Sequence, residues 1–215
     1  MENFVKILIE KISTIVTLNE LESKFNNLKQ YKVSLLKKSR WEDDAVIFLL
    51  DLNEKMYSIK IHFEKYPLAS HIYNSQDKLD ILSKTMYISH IINTVICDNV
   101  KKEKIRIVIY EYVEGVPLDK KIKNATNDDI VEYQHQLYKC CSELMLLGFN
   151  VFIRDLGDFI VGKDHIILTD YNAIMECGNS SIEARYGVLD IIDFVIKKVL
   201  NNDYISFTTE RPYLK

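Results

Sequence analysis

A single change of hydrophobic period, close to Gly115, constrains this chain most. From 31 to 110 the apolar residues form strand-like runs at 32–36, 45–52, 55–62 and 105–110. Asp51-Leu52-Asn53-Glu54 reads as a hairpin turn between two of them. One helix interrupts the strands, predicted over 76–93, with Leu79, Leu82, Met86, Ile88 and Ile91 or Ile92 as its buried stripe. Glu111-Tyr112-Val113-Glu114-Gly115-Val116-Pro117-Leu118 then breaks the pattern. With only 6 Gly and 3 Pro in the chain, such a break is informative. Downstream the period becomes helical. A long helix over 128–147 ends at Gly148, a natural C-cap, and another is expected over about 181–201. Between them a hairpin joins 159–161 to 165–169 through Gly162-Lys163-Asp164. Strands first, then helices around one hairpin, is an α+β order in two lobes, 31–113 and 114–215, with a cleft expected to take the ligand. Residues 1–30 form a helical extension of one helix or two, with Ile7, Leu8, Ile12, Ile15, Val16, Leu18, Leu21, Phe25 and Leu28 at a spacing that suits an apolar face.

Composition removes several function classes. A formal net charge of −3 offers no basic footprint, so no nucleic-acid partner is expected. No run approaches the roughly 18 apolar residues of a membrane span. Glu2, Lys6, Glu10 and Lys11 interrupt any leader-like run, and the protein reads as cytoplasmic, without a transmembrane segment. The extension mixes acids and lysines on its polar side; it packs on the domain in the plain reading and leaves room for a peripheral membrane contact. Cys97, Cys140, Cys141 and Cys177 form no C-x-x-C pair and read as reduced, packed thiols. His62, His71, His90, His135 and His165 share no ligand spacing and read as structural or surface residues. Neither G-x-S-x-G nor a Cys–His pair supports hydrolase chemistry.

The chemistry-bearing stretch runs from Phe152-Ile153-Arg154-Asp155-Leu156-Gly157-Asp158 through the hairpin to Thr169-Asp170-Tyr171-Asn172. Traced back from its turn, the hairpin sets Asp158 opposite Leu168, Thr169 or Asp170, so Asp158 and Asp170 emerge at its open end. Asp155 arrives three residues earlier. Converging carboxylates repel one another, and a divalent cation removes the conflict. Mg²⁺ held by one or two carboxylates plus substrate phosphates fits. A solvated acidic turn without a ligand is the plain alternative.

These residues carry a resemblance. Arg154-Asp155-Leu156 resembles the R-D-L of the protein-kinase catalytic loop, and Asp170-Tyr171-Asn172 sits where D-F-G belongs. Tyr57-Ser58-Ile59-Lys60-Ile61 resembles V-A-I-K, and Ile109–Gly115 resembles the hinge of atypical small-molecule kinases. The ordered set spans about residues 31–200 and is most similar to bacterial lipopolysaccharide core heptose kinases. The resemblance implies a two-lobed protein-kinase-like fold and an ATP- and Mg²⁺-dependent kinase acting on a sugar hydroxyl of the lipopolysaccharide core. A minimal effector-type protein kinase with a protein substrate, and a pseudokinase serving as a binding module, are the other readings. The resemblance implies that Asp155 orients or deprotonates the acceptor hydroxyl, Asp158 and Asp170 bind Mg²⁺, Lys60 contacts the α/β-phosphates, and Glu111 and Val113 belong to the nucleotide site.

The chain departs from that pattern in several places. Ile153 replaces the loop His, and Asp158 matches the metal-binding Asn only after a two-residue deletion. No Gly-rich loop exists; Lys37, Lys38 or Arg40 either substitute with charge or are solvated. The 76–93 segment lacks a Glu for Lys60, leaving Asp77 or Asp80, while Glu64 lies too close in sequence. Asp190 matches the buried Asp of a central C-lobe helix or is an ordinary helix-face carboxylate. Without an A-P-E segment after Asp170, the acceptor is expected to be a sugar or other small molecule.

Overall fold

The computed structural model describes residues 1–26, 31–38, 45–64, 70–153, 155–176, 192 and 194–201. The fold is mixed α+β with a five-stranded antiparallel sheet. The chain divides into two units, Met1–Asn74 with His90–Tyr112, and Ser75–Ser89 with the described residues from Val113 onward.

The first unit begins with α1 (Glu2–Ile12) and α2 (Glu20–Asn26) and continues through β1 (Lys32–Lys38), β2 (Ala45–Leu52), β3 (Lys55–Phe63) and α3 (Ser70–Tyr73). β4 (Ile91–Asp98) and β5 (Lys104–Glu111) complete a sheet of order β1-β2-β3-β5-β4. β2 and β3 pair from Ala45–His62 to Leu52–Lys55 and close through Asn53 and Glu54, whose φ of 53° and 65° suit a tight hairpin. Alternation along the strands puts Val46, Phe48 and Leu50, Ile59, Ile61 and Phe63, and Ile105, Ile107 and Ile109 on one buried face. The helices cover that face. Phe4, Val5, Leu8, Ile12, Ile15, Leu18, Leu21 and Phe25 belong to the same buried cluster, and Phe25 meets Phe48 edge-on at 4.4 Å. The helical extension is therefore part of the sheet's core, and the apolar stripe of α1 is spent there. No described helix is long and apolar enough to cross a membrane. Asn99 ties the segment joining α1 and α2 to the β4–β5 turn. Its side chain accepts from the Lys101 and Glu103 N–H groups at 2.9 Å each, and Val100 N–H donates to Ile15 O at 3.2 Å.

Here one expectation fails. The helix predicted over 76–93 is only α4 (Gln76–Leu82), and 91–98 is a strand. Met86, assigned to the buried stripe, is exposed. Ile91, Ile92, Thr94, Val95 and Ile96 are β-branched, which favours a pleated surface over a helix turn.

The second unit contains α4, β6 (Val116–Pro117), α5 (Leu118–Ile122) and α6 (Asn127–Leu146). β7 (Phe149–Val151), β8 (Phe159–Val161), β9 (Ile166–Leu168) and β10 (Ile174–Glu176) follow. Strands β6, β8 and β9 form one small sheet, and β7 pairs with β10. Helix α6 starts in a capping box: Thr126 Oγ1 accepts from Asp129 N–H, and Asp129 accepts from Thr126 N–H. Beyond it, Gly148 takes φ 91°, the left-handed conformation that ends helices. Gly115 is required by packing: a Cβ there would lie 2.3 Å from Val161 O. Residues 194–200 are helical; most of the remaining 181–201 prediction lies outside the described residues.

Candidate functional site

Ile59 and Ile61 point into the helix-covered core, so Lys60 between them points to the opposite face of the sheet. It pairs with Ile47 and Val108 at mid-strand and is only 7% exposed. Asp77 and Asp80, its expected helix partners, lie exposed on α4, and Asp80 accepts from Gln76 Nε2 at 2.7 Å.

The same face carries a polar network that sequence reasoning missed. Arg106, 1% exposed, pairs in register with His62, two residues along from the Val108–Lys60 pair. Its Nε and Nη2 donate to the two Glu64 oxygens at 2.8 Å each. Nη2 also donates to Asn74 Oδ1 at 3.0 Å, and Nη1 to Thr94 Oγ1 at 3.2 Å. The guanidinium lies 5.0 Å from the centre of the Tyr73 ring, and the Tyr73 and Tyr110 hydroxyls are 3.2 Å apart. The hydrogen bonds from Arg106 hold the Glu64 carboxyl below its ordinary range, against the opposing effect of burial. Glu64 is thus committed to Arg106. Glu111 ends β5, donating its N–H to His90 O at 2.9 Å, with its carboxylate 3.7 Å from both Lys55 Nζ and His90 Nδ1. Val113 is half-buried and lies outside any strand or helix.

In the second unit the β8–β9 register pairs Phe159 with Leu168. Thr169 N–H and Oγ1 both donate to Asp158 O, at 2.8 and 2.9 Å. Asp158 therefore stands opposite Thr169, and Asp170 is the next residue along the chain. Asp155 and Asp170 head two copies of one local design. Each is extended, each begins a single 3₁₀ turn (Leu156–Asp158 and Tyr171–Ala173), and each turn leads into a three-residue strand. Each carboxylate accepts the N–H two residues on, from Gly157 at 2.8 Å and Asn172 at 2.9 Å, the usual role of Asp at a turn. The buried Tyr171 anchors the second copy through its hydroxyl, which donates to Ser89 O at 3.1 Å; burial raises its pKa.

No family model and no curated protein matches the chain.

The expected convergence of three carboxylates is not met. Among the described residues no group of three or more His, Cys, Asp or Glu side chains is arranged to hold a metal. Asp155 turns its Oδ1 back onto Gly157 N–H. Asp158 and Asp170 stand near the open end of the β8–β9 hairpin, and Asp170 Oδ1 is engaged by Asn172 N–H. The 3₁₀ turn also brings in an unforeseen residue, Asp119 of α5. A Cβ on Gly157 would lie 3.1 Å from Asp155 Oδ1 and 3.5 Å from Asp119 Oδ1. A side chain there would press on the Asp155 carboxylate and meet that of Asp119 at ordinary contact distance. Cys97, Cys140 and Cys141 are free thiols, as read from the sequence. Arg40, Arg154, Cys177 and Asp190 lie outside the described residues, as do the side chains of Lys37, Lys38 and His71.

Proposed function

We propose that this protein is an ATP-dependent phosphotransferase with a protein-kinase-like fold, whose acceptor is a sugar hydroxyl of the lipopolysaccharide core. The reading is carried by the β8–β9 register, with Asp158 and Asp170 at one hairpin end and Asp155 one short turn upstream. Lys60, buried on the sheet, is the lysine that the nucleotide phosphates would meet. In this reading Lys60 binds the α/β-phosphates, Glu111 and Val113 line the adenine, and Asp158 and Asp170 hold Mg²⁺. When bound, Mg²⁺ supplies charge neutralisation of the transferred phosphoryl group. Asp155 orients the acceptor hydroxyl and takes its proton late, as the acceptor oxygen bonds the γ-phosphorus and ADP leaves.

The pseudokinase reading is favoured by one observation. Both Asp155 and Asp170 serve as turn caps, a structural role that needs no nucleotide. A melt with ATP and Mg²⁺ tests the proposal. A ligand at 100 times its Kd stabilises by about 2.7 kcal/mol, and Asp170→Asn should lose that Mg²⁺-dependent gain. Equal stabilisation of wild type and Asp170→Asn, or none in either, contradicts the metal assignment.

A further inference from the structure

We propose that Arg106 is the positioning residue of the nucleotide site, holding the Lys60 face of the sheet and Tyr110 in one fixed arrangement. This rests on the kinase reading above. Four elements of the first unit meet at the Arg106 guanidinium: Glu64 just beyond β3, Tyr73 and Asn74 at the end of α3, Thr94 on β4, and Arg106 itself on β5. From Tyr73 the chain of contacts continues to Tyr110, the residue before Glu111. At the other end, Glu64 lies four residues from Lys60. The network therefore runs from the end of the strand that carries Lys60 to the residue before the stretch assigned to the adenine.

Stability alone does not account for it. A buried ion pair is often no more stabilising than apolar residues of the same volume. Apolar packing fixes position loosely, whereas a guanidinium fork on a carboxylate fixes direction as well. Arg106 spends its donors on three different elements besides its own strand. α3 is a four-residue helix, too short to hold its place by its own hydrogen bonding. The network holds it: Tyr73 and Asn74 are both bound, and the Tyr73 hydroxyl in turn restrains Tyr110. Losing the fork should let Tyr73 and Tyr110 shift while the apolar core on the other face stays packed.

The experiment separates this role from a structural one. Arg106→Met alone leaves the half-buried Glu64 without its partner and should lower the melting temperature. The double variant Arg106→Met with Glu64→Leu removes both charges and should restore the melt. At that restored stability, calorimetric titration with ATP in the presence of Mg²⁺ should give a Kd at least tenfold weaker than wild type. Tyr73→Phe and Tyr110→Phe, which break the hydroxyl link, should each weaken ATP about threefold while the protein stays folded with a modestly lowered melting temperature. Wild-type ATP affinity in the double variant overturns the assignment. Wild-type affinity in both Tyr→Phe variants also overturns it, even if the double variant cannot be purified. Absence of ATP binding by the wild type overturns the kinase reading and this assignment with it; retained wild-type binding with unaffected variants overturns this assignment alone.

Discussion

Leu8→Ala asks whether the N-terminal helices are an appendage or half of the sheet's core. Leu8 lies on α1, is fully buried, and belongs to the cluster that contains Phe48, Ile59 and Ile107. Truncating a buried leucine costs about 2–5 kcal/mol, through lost transfer energy and the cavity left behind. Leu8 belongs in the middle of that range, because its cluster is bounded by a rigid sheet that relaxes little; about 3 kcal/mol is expected. For a unit of roughly 100 residues each kcal/mol moves Tm by about 4–8 °C, so a fall of about 12–24 °C follows. Circular dichroism melts of the ligand-free protein provide the assay. Val131→Ala, on the exposed side of α6 at 62% exposure, is the control and should stay within about 0.5 kcal/mol of wild type. A Leu8→Ala melt matching the control would refute the shared core. So would a protein lacking residues 1–26 that keeps the sheet signal and melts like wild type.

Two further outcomes follow from single side chains. Arg106 lowers the Glu64 pKa in the folded protein, so the pair's stabilisation is present above the unfolded carboxyl value and lost as pH falls through the folded one. The Tm gap between wild type and Glu64→Gln should therefore narrow below about pH 5, and a gap constant down to pH 3 would contradict the pairing. Gly115→Ala would drive a methyl into the Val161 carbonyl and should destabilise by about 1–3 kcal/mol, measured by urea unfolding; a neutral result would mean that β6 and β8 do not approach as closely as described.

Local patterns were legible in the chain, and long-range pairings were not. The β2–β3 hairpin shows in Asn53-Glu54 between two apolar runs, and α6 shows in its Gly148 stop, because turn and cap chemistry act within a few residues. The β8–β9 hairpin and the open-end position of Asp158 were legible for the same reason. The 76–93 error arose because the helical spacing of Leu79 and Leu82, real within α4, continues by coincidence to Met86, while pairing of Ile91–Asp98 with β5 decided the strand. Glu64 and Arg106 lie 42 residues apart, and only the β3–β5 register and the placement of α3 reveal that they meet. Asp119 was overlooked likewise: its approach to Gly157 depends on how α5 packs against the 3₁₀ turn after Asp155. The caps formed by Asp155 and Asp170 were not foreseen, because a carboxylate aimed at a metal and one turned to its own backbone have the same sequence.

Phosphoryl transfer is the central claim, and labelled ATP tests it most directly. Wild type and Asp155→Asn would be incubated with γ-labelled ATP, Mg²⁺ and a panel of truncated core oligosaccharides, with water as the default acceptor. Calorimetry alongside would establish that both proteins bind ATP and remain folded. If Asp155 orients the acceptor hydroxyl, label appears on one oligosaccharide. The variant then turns over about 10²-fold more slowly or worse, with nearly unchanged ATP affinity. If both proteins bind ATP and neither moves label to sugar or water, the phosphotransferase reading is contradicted and the binding-module reading takes its place.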